Sequence, residues 1–159
     1  MTTSNTGNPT THPDTTPEQR CLRYRRDHHL PTTVDPASRR ILLPIGGLIG
    51  AITMPTTLGH RVLAGLRVRM LTGPVIAHPH THRWTFLTGP GHTLTDTVHT
   101  DLLQLQTSVA HPGDDVVLPS PDDEHLGRWH WIHSPETHSD LPPQSAVIAT
   151  TKAMATTAT

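Results

Sequence analysis

Aromatic side chains are scarce in this chain: three Trp, one Tyr and one Phe, 3% of 159 residues. Hydrophobic residues of all kinds make up only 33%, below the usual globular share, so any core is small and mainly aliphatic. Cysteine is nearly absent as well. Cys21 stands alone, which excludes an internal disulfide framework and a multi-cysteine metal site. Long apolar runs are missing too. The longest, "ILLPIGGLIGAITMP" at 41–55, is broken by Pro44, Gly46, Gly47 and Gly50. It falls short of the roughly 20 residues that span a bilayer, so it fits a buried pair of strands and no membrane partner is expected. Nor is there a charge excess: the net charge is −1, unlike a dedicated nucleic-acid binder. No G-x-S-x-G elbow occurs, and "GGLIG" lacks the G-K-[ST] ending of a phosphate loop.

What is present is proline, glycine, threonine and histidine. Sixteen prolines and eleven glycines cut the chain into short elements. Met1–Thr16 has no apolar residue after Met1, so it is expected to be a disordered tail without the features of a signal peptide. A single domain is expected over 17–153 and a frayed end over 154–159, in a cytoplasmic protein.

Thr16 is placed to cap a helix over 17–29, with Pro17 at its first position and Glu18 at its positive end. Strands are expected near 40–43 and 48–53, joined as a hairpin by Gly46–Gly47. Leu58, Val62, Leu66 and Met70 recur every four residues and predict a helix over 55–70. In "GPVIAHPHTHRWTFLTGP", His78, His80 and His82 would share one face of a continuous strand. Pro79 disfavours that, and two strands joined by a tight turn fit better. A helix near 94–106 follows, then strands in "TSVA", "DVVLP" and "RWHWIH", with "SPDDEHLG" as a polar loop. "SAVIATTKAM" fits a helix or a strand, the helix better. The order predicts an α+β fold with a mixed, largely antiparallel sheet packed with two to four helices.

Charge is divided unevenly. Residues 1–70 hold nine basic and four acidic side chains, whereas 71–159 hold three basic and nine acidic. Arg23, Arg25, Arg26, Arg39, Arg40, Arg61, Arg67 and Arg69 are therefore the candidate residues for DNA or RNA. Mutual neutralisation of the two halves explains the same asymmetry and is the simpler account. The cluster His78, His80, His82 is a candidate metal site by residue type. Eleven further histidines spread from His12 to His138 make it an unremarkable cluster, and no metal or other cofactor is expected. Asp122, Asp123, Glu124 and His125 could offer oxygen ligands to magnesium, but adjacent acids in a Pro/Ser loop fit a solvated turn better. Trp84 with Phe86, and Trp129 with Trp131, each project to one sheet face. They suit core packing better than base stacking.

Three stretches together carry a resemblance: "GAITMPTTLGHRVLAGL", "GPVIAHPHTHRWTFLTGP" and "TSVAHPGDDVVLPSPDDEHLGRWHW". Over about residues 41–135 the chain resembles cut-down relatives of the N-terminal domain of bifunctional DNA primase/polymerases, proteins of replication. There, a strand like "WTFLT" precedes a "VVLPPS" phrase, here Val116, Val117, Leu118, Pro119 and Ser120. A glycine and an aromatic-rich strand follow, here Gly127, Arg128, Trp129, His130 and Trp131. The resemblance implies an acidic pair separated by one residue to hold metal ions, and a histidine against the nucleotide. This sequence has no D-x-D, and the phrase around His78 does not match, so no catalytic residue carries over. Two-metal chemistry without carboxylates to hold the metals is not credible. The expectation is a non-catalytic primase-like module that binds nucleic acid or a nucleotide. The alternative is a protein-interaction or vestigial domain with a protein partner or none. The abundance of His where Arg would be natural, and of Thr where Ala would be, is what drift by single-base transitions produces.

Overall fold

The computed structural model describes residues 14–137 and 140–157. Most of the expected tail lies outside the described residues, but Asp14–Thr16 are held against the first helix. That helix, α1 (Pro17–His28), starts at Thr16, whose hydroxyl accepts from Gln19 N while the Gln19 side chain returns to the cap. His29, at φ 54°, closes its C-terminus. Pro31 follows, and β1 (Thr33–Val34) is a short strand that the sequence did not announce.

β2 (Ile41–Pro44) and β3 (Gly50–Pro55) sit where strands were expected, but they are not a hairpin. Gly46 and Gly47 turn the chain at positive φ and close one bridge, Gly46 to Ile49. The strands then part into different sheets. β2 lies between β1 and β7 (Asp115–Leu118) in a three-stranded antiparallel sheet. β3 enters a five-stranded sheet, also antiparallel, ordered β6-β3-β5-β4-β8, with β4 (Val75–His78), β5 (Arg83–Thr88), β6 (Ser108–Val109) and β8 (His130–His133). The parting has a packing reason. Ile41, Leu43 and Ile45 fill the core beneath α1, whereas Ile52 and Met54 fill the core on the opposite side of the large sheet.

α2 (Thr56–Val68) buries Val62, Leu63 and Leu66. Met70, expected on that stripe, is 90% exposed, because the chain leaves the helix at Arg69 and Met70 takes φ 57°. α3 (Asp96–Gln104) is capped by Thr95, and α5 (Gln144–Thr156) runs on past residue 153, with Met154 packed on the core. The expected polar loop after β7 winds into α4 (Pro121–His125), a fifth helix. There Ser120 and Asp123 cap each other and Pro121 occupies the first turn.

The result is an α+β fold in layers. On one face of the large sheet, Val75, Ala77, Trp84 and Phe86 meet α2, α3 and α5. On the other, Ala51, Ile76 and Leu87 meet Cys21 and Tyr24 of α1 and the small sheet. Alternation along β4 and β5 sends neighbouring residues to opposite cores. Both faces are covered, which is why these strands read as apolar runs.

Candidate nucleic-acid interface

The α1-side face of the large sheet changes character near the β4–β5 turn. The alternation that aims Trp84 and Phe86 at one core aims Thr85 at the other side, beside Thr53 of β3 and His78 of β4. The two hydroxyls lie 2.9 Å apart, and His78 Nε2 lies 3.0 Å from Thr85 Oγ1. Trp129 reaches over from the segment before β8 and donates its indole N–H to His78 Nδ1 at 2.8 Å. An indole nitrogen only donates, so Nδ1 must be the bare nitrogen. The hydrogen-bond partners therefore assign the ring as neutral, with its proton on Nε2 and directed at Thr85. Burial, and then the Arg83 guanidinium, hold the His78 pKa below its ordinary value. Arg83 is itself tied to the carbonyls of Thr53 and Gln106.

Trp129 is brought there by α4. Past its C-terminus, Arg128 N donates to Asp123 O at 2.8 Å and Gly127 turns at φ 68°. The Arg40 guanidinium lies 4.6 Å from the Trp129 ring centre, close enough for a cation–π contact. Arg40, His78, Pro79, His80, Thr81, Arg128 and Trp129 line a groove of about 200 Å³, and none of these described lining residues is acidic.

The candidate arginines do not form one surface. α1 packs on one face of the large sheet and α2 on the other, so Arg23, Arg25 and Arg26 stand opposite Arg61, Arg67 and Arg69. Several are occupied at home: Arg23 by Asp14 at 2.9 Å, Arg26 by Asp27 at 2.9 Å, and Arg39 by Glu18. Arg25, Arg61, Arg67 and Arg69 point to solvent. Only Arg40 of the eight joins an aromatic. Between the two halves of the chain, Arg20 forms a two-pronged bond to Glu124 and Arg39 senses Asp122, while a third Arg20 bond goes to Asp14 within its own half.

The three clustered histidines diverge. His78 turns inward, while His80 and His82 stay exposed in the turn, His82 at φ 53°. Among the described residues, no group of three or more His, Cys, Asp or Glu side chains is placed to hold a metal ion. Of the acidic loop, Asp123 is consumed by the helix cap and Glu124 by Arg20. Cys21 is buried with its thiol on Thr32. Trp84, Phe86 and Trp131 are packing residues, Trp131 also donating to the Tyr24 hydroxyl at 2.9 Å.

The sequence reading missed Arg128 and the pairing of Arg40 with Trp129. Its one local sign was the Arg–Trp dipeptide following the Ser-Pro-Asp-Asp helix start. Two larger concavities lie elsewhere. One of about 870 Å³ is open between the end of α1 and the Gly46–Leu48 turn; another of about 430 Å³ is lined by His92, His99, His111 and Gln144. Neither contains an arginine or a tryptophan. Set against known protein families, curated proteins and solved structures, the chain matches none of them.

Proposed function

We propose that this chain is a non-catalytic binding module, of the primase-like kind its motif order resembles, and that it takes single-stranded nucleic acid or a nucleotide in the Arg40–Trp129–Arg128 groove. The observation that carries this reading is the Arg40 guanidinium over the Trp129 indole, in a groove that Arg128 also lines and whose described lining residues include no carboxylate. Stacking surfaces flanked by cations suit a base and its phosphate, and such binding tolerates any base. No acidic pair accompanies the groove, so recognition is favoured over turnover. An anisotropy titration with labelled single-stranded DNA, RNA and duplex tests it. Binding to single strands that weakens steeply with salt is the expected outcome; no binding to any of the three at low salt discards the reading.

A second reading, a protein-interaction domain, is favoured by the outer side of α2. There Arg61, Arg67 and Arg69 stand without ion-pair partners among the described residues, beside Val68 and Met70 at 86% and 90% exposure. Recovery of one stoichiometric protein partner, lost in V68D/M70D, supports that reading.

A further inference from the structure

We propose that His78 is the positioning residue of the groove: as a neutral ring it holds the Trp129 indole in place, and on gaining a proton it lets it go. This rests on the reading of the groove as the binding surface, but its geometry stands independently. Trp129 has one polar atom, a donor, and it meets Nδ1 at 2.8 Å. A proton on Nδ1 would set two N–H groups against each other at that distance, turning an attraction into a repulsion. The other ring nitrogen has no slack to offer, because Nε2 is already engaged with Thr85 Oγ1, which in turn is engaged with Thr53. Ring rotation would only exchange one donor for another.

The surroundings do not compensate an imidazolium. From β5 the side chain faces Arg83 and Thr85, and from β3 Thr53. Arg40 sits across Trp129, and Arg128 and His80 line the same groove. His130 of β8 pairs alongside Ala77, with its Nδ1 on Arg128 O. Asp35 senses Arg40, but its carboxylate is held by Ser38. No carboxylate lines the groove. Protonation therefore places a fourth cation among Arg40, Arg83 and Arg128, and the accessible relief is for the indole to swing away from His78. The stacking platform is then lost.

Nitrogen-15 spectra of the full chain test this directly. At pH 7.5 the His78 ring is expected to show the Nε2–H tautomer. The Trp129 indole N–H signal, assigned with W129F, is expected to move together with the His78 ring shifts as pH is lowered from 7.5 through the His78 titration. In His78→Asn the side-chain carbonyl accepts in place of Nδ1 and cannot titrate, so the indole signal should keep its bonded position at every pH. In His78→Ala that position should be lost at every pH. Affinity for a labelled oligothymidine should fall about five- to tenfold in His78→Ala at pH 7.5, recover in His78→Asn, and fall toward the alanine value in the wild-type chain once the His78 ring shifts show it protonated. An Nδ1–H tautomer at pH 7.5, or an indole signal that stays unchanged while the His78 ring shifts report its protonation, overturns the proposal. If the spectra behave as expected but no oligonucleotide binds, the His78–Trp129 coupling stands and the nucleic-acid reading fails.

Discussion

Arg20 shows most plainly how one side chain serves this structure. It is 7% exposed and bonds Glu124 through two nitrogens and Asp14 through the third. Burial by itself would lower its pKa, but Glu124 and then Tyr24 more than offset this and hold it above its ordinary value. Losing it leaves Asp14 to Arg23 alone and breaks the two-pronged bond that couples α1 to α4, so Arg20→Ala should cost about 2 kcal/mol in urea unfolding. Arg20→Lys, which keeps the charge without the fork, should recover only part of that. Two inward-facing titrating groups, half-buried His78 and buried Tyr24, bear on the pH range either side of neutral. The His78 pKa is lowered from 6.5 by burial and then by Arg83. Its contribution is therefore complete above about 6.5 and is lost as pH falls through the folded value. The Tyr24 pKa is raised from 10.0, chiefly by burial. Its contribution is complete below 10 and is lost as pH rises through the folded value. Stability measured by urea midpoint should therefore decline on both sides of a plateau between about pH 7 and 9. His78→Asn should flatten only the acid side and Tyr24→Phe only the alkaline side.

Among the elements, α2 depends on a missing side chain. A Cβ at Gly59 would lie 2.8 Å from Trp84 Cε3 and 3.1 Å from Cδ2. Trp84 is buried between Phe86 and the helix and has nowhere to go. Alanine gains up to about 1 kcal/mol in helix propensity, but overpacking of this kind costs about 1–3 kcal/mol. Gly59→Ala should therefore lower the thermal midpoint, and a paired Trp84→Leu should make the same change close to neutral. Elements whose signals are local were legible in the sequence. Thr16, Pro17 and Glu18 marked the start of α1, Leu58, Val62 and Leu66 the buried stripe of α2, and Pro79 the turn between β4 and β5. The partners of β2 were not legible, because Gly46–Gly47 makes an acceptable hairpin turn whether or not its strands stay together. Competition for two cores on opposite sides of the large sheet decided the matter. α4 was overlooked although Ser120-Pro121-Asp122-Asp123 is a helix start in its own right. Of the acids that looked solvated, Asp123 is spent on the cap and Glu124 on Arg20, while Asp122 stays exposed.

For the molecule as a whole, the uneven charge along the chain does not become a basic face. The two basic helices lie on opposite sides of the five-stranded sheet, and the arginines of α1 largely meet local acids. Binding should follow position rather than charge count. Arg40→Ala with Arg128→Ala removes as many as two phosphate contacts. It should flatten the salt dependence of single-strand binding by about 1.4 in log–log slope, at about 0.7 per phosphate. Arg61→Ala with Arg67→Ala and Arg69→Ala removes more charge yet should leave affinity nearly unchanged. Equal losses from the two sets, read by anisotropy across a salt series, would contradict a localised groove. By itself, the sequence determined the class of fold, the sites of the main helices and strands, and the want of an acidic pair, since each depends on residues close together in the chain. Tertiary structure alone decided which strands pair, which arginines are free, and that Arg40, His78 and Trp129 share one groove. Those outcomes depend on how two cores are shared out across a sheet, and no short stretch of sequence encodes that.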